Sequence, residues 1–385
     1  MTFAQLIGGV RRRMLPATAT AAITALAVAR QQLAKARASL DQAKQEREQL
    51  VTQVRRLRSL TTDMGVHRHR VPSTQVLAHM LPARVAAFRQ RAASHGAAER
   101  ERVLMAASAA YRQAIEEAAQ SAAPRSDEVE VAGLRWSVPQ DERGRARTPE
   151  QWVRLRAILQ SREVATGGVM LDIGAHVGRI AIPRVLLGDA DAVYAAEADT
   201  LNYACLVRNV VLNGVRGYVL PDRVAIGARQ GAGRLTRSRW SGGHRLAPEH
   251  ASAGGSDVEP VVVQTLDGWV ASLGINPSEI SFVSLDTQGT ELDVLAGAAT
   301  LLACPHIAWR IRVDPEQVTA AGHSMDGVMD ALTGAFTHFI DLWKHATGDR
   351  VRPVTELKTA LEYLWTDEAE TELLLYSVRS GPGRP

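Results

Sequence analysis

Three acids stand where chemistry is possible. Asp172 closes the apolar run "VMLDI" just before "GAHVG", Glu197 closes "DAVYAAEA", and Asp286 closes "ISFVSL". A carboxylate at the end of a buried strand accepts hydrogen bonds from hydroxyl or amino groups of a ligand, and two such acids spaced as Asp172 and Glu197 suit a cationic molecule that carries ribose hydroxyls. Gly174 lets the chain turn sharply and leaves room for a ligand, and Gly178 lets the next helix pack close. Asp286 is followed by Thr287, Gln288, Gly289 and Glu291. A carboxylate there orients or deprotonates an attacking hydroxyl, Gln288 holds it by hydrogen bonds, and Glu291 shares that work or steadies a helix N-terminus. The alternative for Asp286 is to anchor the "DTQG" turn through backbone N–H groups.

These residues need a frame that brings strand ends together. The order strand, glycine turn, helix, strand predicts an open α/β sheet with its ligand crevice outside the carboxyl ends of the strands, and "ISFVSL" reads as a fourth parallel strand reaching the same edge. "GAHVG" lacks the full G-x-G-x-x-G of a dinucleotide site and the Lys-Ser/Thr of a P-loop, which disfavours a pyrophosphate or triphosphate. S-adenosylmethionine, with its sulfonium, amino acid head, ribose and adenine and no phosphate, fits two acids better. His176 either lines that loop or closes a turn.

Over roughly residues 129–378 the chain resembles the FkbM-type S-adenosylmethionine-dependent methyltransferases. The motifs are "LDIGAHVG", "AAEADTLNYACLVRNVVLNG" with Glu197, Asn202, Leu206, Asn209 and Asn213-Gly214, "VAIG" at 224–227, "TLDGW" at 265–269 and "FVSLDTQGTELDVLAGAATLL" at 282–302. The resemblance implies a Rossmann-like class I methyltransferase sheet, mostly parallel with an antiparallel strand near the C-terminus at "ETELLLYSVRS". It also implies S-adenosyl-L-methionine as cofactor, contacted by Asp172, Gly174, Ala175, His176, Gly178, Glu197, Asn202 and Ala225. Asp286, Gln288 and Glu291 would be the catalytic residues, and the acceptor a hydroxyl of a sugar, glycan or natural product. His176 replaces a common Asn, Ala198-Asp199 stands where Pro usually follows the acid, and Gln288 replaces a frequent Glu, although "DTQG" occurs within the family. Two other readings are a binding or scaffold protein with a degenerate methyltransferase fold, and an NAD-dependent oxidoreductase, which the missing third glycine disfavours.

The rest of the chain sets the context. Residues 1–125 hold 20 Lys/Arg against 8 Asp/Glu, and the remainder 25 against 33, so a basic arm precedes an acidic body. Leu26, Leu33 and Leu40 with Ala22, Ala29, Ala36 and Ala43 form a heptad seam, continued by Leu50, Val54 and Leu57 and broken by Arg47. This predicts a coiled-coil-like helix over 20–62 that makes a homo-oligomer or folds back on a second helical stretch at 74–122. The arm's charge favours an anionic surface such as the inner face of a membrane or a polyanionic glycan. Nucleic acid is disfavoured, since no aromatic residues interleave the basic ones.

Residues 15–29 are short for a membrane span and resemble a targeting segment that the heptad overrides. Two cysteines, Cys205 and Cys304, fit a cytoplasmic location, and the histidine spacing predicts no metal site. The expected units are 1–125 as arm, 126–166 as hairpin and lead-in helix (Pro149 to about Arg162), and 167–380 as methyltransferase domain. Further expectations are a mobile loop or substrate lid over 228–257, Asp267 as a helix cap, and Trp309 and Arg312 alternating across a late strand. Arg312 there meets an anionic substrate or faces solvent. Trp343, Lys344 and His345 end another strand and line an acceptor pocket.

Overall fold

The computed structural model describes residues 125–131, 133–142, 167–247, 258–343, 351–366 and 369–377, with Glu117 and Gln120 beside them. The arm, its heptad helix and the lead-in helix at 149–162 lie outside the described residues, as do Lys344 and His345. Among the described residues no helix is long and apolar enough to cross a membrane.

The expected hairpin is present as β1 (Ser126–Val131) and β2 (Leu134–Pro139), paired antiparallel. The alternation that betrays it in sequence has a physical counterpart. Leu134, Trp136 and Val138 are buried, and they join the hydrophobic cluster that also holds α2 residues Cys205, Leu206 and Val210. The αβ series then runs through β3 (Val169–Ile173), α1 (Ala181–Leu186), β4 (Ala192–Ala196), α2 (Thr200–Leu212), β5 (Val219–Asp222), β6 (Ala225–Ile226), β7 (Gly231–Thr236), β8 (Arg245–Leu246), β9 (Val258–Gln264) and α3 (Leu266–Ser272). It continues with β10 (Ile280–Leu285), α4 (Glu291–Ala296), α5 (Ala299–Leu302), β11 (Ala308–Val313), α6 (Pro315–Ala320), α7 (Met325–Ala335), β12 (His338–Asp341), β13 (Arg352–Pro353), α8 (Leu357–Ala360), α9 (Tyr363–Thr366) and β14 (Thr371–Tyr376).

Eight strands form the main sheet in the order β13-β12-β14-β11-β10-β3-β4-β5. Strands β5, β4, β3, β10 and β11 pair parallel, and β14 lies antiparallel between β11 and β12. This is the Rossmann-like, mostly parallel sheet that the sequence leads one to expect, with the C-terminal strand antiparallel. Strands β10 and β11 are buried at every position, which is why "ISFVSL" reads as a continuous run rather than an alternation. Chain order reverses between β3 and β10, and a crevice opens at such a switch point.

The expectation of a mobile loop or lid over 228–257 is corrected for its described part. Residues 231–236 and 245–246 are strands of a second sheet, ordered β6-β9-β7-β8. Glycines in "GAGRLT" hide this strand from propensity, and Gly233 is small because a Cβ there would meet a Val263 methyl at 2.4 Å. Asp267 does not cap its own helix. Thr265 caps α3 through the Gly268 N–H, while Asp267 accepts from Thr300 and Leu301 at the start of α5.

Helix α2 positions Glu197's loop and the hairpin at once. Asp199 caps it by accepting from Leu201 and Asn202 N–H. Asn209 and Asn213, one turn apart, then present their amides to the outer edge of β2. Asn213 bonds both Arg135 backbone groups (3.1 and 2.7 Å), and Asn209 bonds those of Ser137 and the Val177 carbonyl. Two side chains thus stand in for a neighbouring strand.

Gly174 and Gly178 both have positive φ, +78° and +88°, but their surroundings differ. A Cβ on Gly174 would lie 2.0 Å from the Asp286 carbonyl oxygen, whereas one on Gly178 would meet only side-chain methyls of Leu206 and Ile182. Gly178→Ala is therefore expected to cost about 1–2 kcal/mol from its left-handed backbone. Gly174→Ala, which must part β3 from β10, is expected to exceed ~4 kcal/mol, the scale reserved for broken cores. Thermal melts of the two variants check the order, and equal losses would refute the backbone clash.

Candidate functional site

One cavity of about 1210 Å³, open mouth included, sits at the switch point and at the carboxyl ends of the strands. Of the residues anticipated from sequence, Asp172, Gly174, Ala175, His176, Glu197, Asn202, Ala225, Asp286 and Gln288 line it. Gly178 and Glu291 do not. Gly178 packs under Leu206, the close helix packing expected of it. Trp343 also lies off the cavity, packed against the apolar cluster beneath β12. Its expected place in an acceptor pocket is corrected, because β12 ends at Asp341.

The glycine loop spends its N–H groups internally. Gly174 and Ala175 N–H both donate to the Ala196 carbonyl at 3.0 Å, Gly178 N–H donates to Ala175, and His176 N–H donates to Glu197 Oε2 at 2.7 Å. His176 reaches this place with φ +52°. With these four amides taken, the front of the loop offers no amide nest to a phosphate. Glu197 accepts from Asp199 N–H through its other oxygen at 2.9 Å and also bonds Asn202, whose Nδ2 donates to the Ser241 carbonyl. Burial is the largest influence on Glu197 and pushes its pKa up to about 7. Burial likewise pushes Asp172 up to about 6, against the pull of Arg310 and hydrogen bonds from Ser284 and the Ala181 N–H at the start of α1.

At the β10 end the turn-anchoring role offered as the alternative for Asp286 falls to Glu291. Glu291, buried, accepts with Oε1 from Thr287 N–H at 2.8 Å, Gly289 N–H at 3.3 Å and the Thr287 hydroxyl. It is Glu291 that anchors the turn, the stabilising one of its two expected roles. Asp286 does not bond the turn's backbone. Its Oδ1 accepts from Gln288 Nε2 at 2.8 Å and Arg312 Nη1 at 3.2 Å, and Oδ2 lies 3.9 Å from Arg310 Nη2 with no hydrogen bond among the described residues. Gln288 adopts φ +58° to make this contact.

Sequence reasoning missed Arg310 and Glu372. Arg310, only 4% exposed, forks onto both Glu372 oxygens (3.0 and 2.6 Å) and donates to Ser284 Oγ at 3.0 Å, and Ser284 in turn bonds Asp172. Arg312 pairs with Asp286, Asp314 and Glu370, which decides its orientation as inward rather than towards solvent. The opposite wall, also missed, is Trp240–Gly242. Trp240 Nε1 and Arg179 both donate to buried Glu142, and Ser241 N–H donates to Asp141 at 2.7 Å. The short helical turn after β2, Gln140–Glu142, therefore fastens one side of the cavity. The sole sequence signal was a carboxylate pair following an apolar strand, too common to single out.

Asp172, Glu197 and Glu291 keep protons in the folded state up to about pH 6 or 7, whereas unfolded carboxyls release theirs near pH 4. The native state binds more protons in that window, so stability falls as pH rises through it. The melting midpoint is expected to fall from about pH 5 to pH 8, with a shallower slope in Glu291→Gln. A variant slope equal to the parent's would remove Glu291 from the proton balance.

Residues 172–343 match the model of the methyltransferase FkbM domain. Among solved structures the chain is similar to a methyltransferase FkbM from Methylobacillus flagellatus KT (14% identity, 68% of this chain and 58% of that one, TM-score 0.30). It is also similar to a precorrin-6y C5,15-methyltransferase from Geobacter metallireducens GS-15 (9%, 63% and 94%, TM-score 0.32). A third is TrmK of M. capricolum in complex with S-adenosyl-homocysteine (10%, 59% and 71%, TM-score 0.29). The chain thus spans less than two thirds of the length of the Methylobacillus protein. No curated protein matches it. The segment that holds Asp172, Glu197 and Asp286 is the one that matches the methyltransferase FkbM domain model.

Proposed function

We propose that the cavity binds S-adenosyl-L-methionine and that the chain transfers its methyl group to a hydroxyl oxygen of a sugar, glycan or natural product. The observation that carries this reading is the placement of Asp286 across the switch point from Glu197, with Oδ1 fixed by Gln288 and Arg312 and Oδ2 open. The donor set fits the cofactor. Two carboxylates, Asp172 and Glu197, end adjacent strands, and the N–H groups of Gly174, Ala175, His176 and Gly178 are all taken up within the protein, which disfavours a phosphate there and with it NAD.

When bound, the cofactor supplies a methyl carbon already activated by sulfonium. The protein's share is alignment and proton management. Glu197 would accept hydrogen bonds from the ribose hydroxyls and Asp172 would face the amino acid head. Asp286 Oδ2 would accept the acceptor's O–H hydrogen bond, orient that oxygen, and take its proton on to solvent as the methyl group is transferred, the cofactor departing as the neutral thioether. Arg310 and Arg312 hold the carboxylate in one orientation.

Two expectations follow for the full chain. Ionised Glu197 accepts hydrogen bonds from hydroxyls more strongly than the neutral acid does, so S-adenosylhomocysteine affinity is expected to rise up to about tenfold from pH 6 to pH 8, as for one group titrating near 7. Glu197→Ala should weaken binding ten- to a hundredfold, about 1.5–3 kcal/mol, and calorimetry reads both. A melting shift with NAD and none with S-adenosylhomocysteine would overturn the choice of cofactor.

Asp286→Asn should leave S-adenosylhomocysteine affinity within a few fold while turnover on the true acceptor drops about a hundredfold. Near-full turnover would leave Asp286 a positioning role alone.

A further inference from the structure

Four arginines line the cavity. Three are neutralised by carboxylates: Arg179 by Glu142, Arg310 by Glu372, and Arg312 by Asp286, Asp314 and Glu370. The fourth, Arg245 on β8, has no carboxylate within ion-pair distance among the described residues. Its Nη1 donates at 3.1 Å to the neutral amide of Gln317. Arg237, just after β7, shows the contrast, since it is held by both Asp199 and Glu259. A half-buried guanidinium facing a cavity without a counter-charge is a site for an anion, and its planar fork suits carboxylate and phosphate oxygens.

The location tells which ligand brings that anion. Gln317, which steadies Arg245, packs its backbone against the turn after Asp286, where a Cβ on Gly289 would lie 2.1 Å from the Gln317 carbonyl oxygen. The Arg245 guanidinium therefore reaches towards the turn that follows Asp286. A flexible arginine pinned only through one amide hydrogen bond keeps most of its donors for a ligand.

We propose that Arg245 receives a carboxylate or phosphate borne by the methyl acceptor, so that the substrate is an acidic hydroxyl compound such as a uronic acid or a sugar phosphate. This rests on the methyltransferase reading and sharpens its substrate class. Asp286 selects the hydroxyl, and Arg245 sets the distance from that hydroxyl to the acidic group.

The test uses the full chain and methyl-labelled cofactor on a metabolite extract split by anion exchange into flow-through and retained fractions. Label is expected in the retained fraction alone. On that fraction Arg245→Gln should raise the acceptor KM at least tenfold with S-adenosylhomocysteine affinity within twofold, and Arg245→Lys should recover part of the loss. Inorganic phosphate should compete with the acceptor in the parent protein and not in Arg245→Gln. This comparison cancels phosphate bound by the basic arm. Label confined to the flow-through, or an unchanged KM in Arg245→Gln, overturns the proposal. So does a tenfold loss of S-adenosylhomocysteine affinity in that variant, which would assign the guanidinium to the cofactor's own carboxylate. Label in neither fraction also overturns it, and S-adenosylhomocysteine binding to the parent then decides whether the methyltransferase reading falls with it. Melting curves of both variants exclude misfolding as the cause.

Discussion

The closest constraint in this molecule is the meeting of two backbones. The Asp286 N–H donates to the Ile173 carbonyl at 3.0 Å, and the Asp286 carbonyl occupies the space that any side chain at position 174 would need. Loops after β3 and β10 are thereby locked edge to edge, and each carries one half of the site. The glycine loop's amides turn back onto Ala196 and Glu197, and the "DTQG" turn is stapled by Glu291. Rigid loops of this kind fix reacting groups within fractions of an ångström without the cost of ordering them on binding.

Around that junction runs a chain of charge from Glu372 through Arg310 and Ser284 to Asp172, with Arg312 and Asp286 alongside. Burying such ions loses hydration that their mutual attraction only roughly repays, so the network adds little to stability. Its effect is directional. Arg310 touches β10, β14 and the neighbourhood of both cavity acids, and a change at any member redistributes charge across the site.

The sheet was largely legible because strands buried on both faces are written as apolar runs ending in an acid, as in "VMLDI" and "ISFVSL". Asp172, Glu197 and Asp286 could be placed from that pattern alone. The roles of Asp286 and Glu291 could not, since either acid is able to hold a turn and only geometry shows that Glu291 does. Arg310 was invisible for a different reason. In "AWRIRV" an arginine reads as solvent-facing unless a partner is known, and its partner Glu372 lies 62 residues further on. The second sheet was hidden by its glycines, and the wall at Trp240 depends on Glu142, 98 residues earlier.

The two asparagines that complete the edge of β2 bear on how the chain reaches this state. The hairpin leaves the ribosome before the helix that covers it, since Asn209 and Asn213 follow their β2 partners by 72 and 78 residues. Until α2 docks, β2 shows unpaired amides next to an apolar face, the combination that templates strand addition between molecules. Late closure of this long-range contact makes the hairpin the vulnerable stretch during synthesis. Excising the chain at the start of the matched domain would remove the hairpin and take from Asn209 and Asn213 the backbone N–H groups of Ser137 and Arg135 that their Oδ1 atoms accept from.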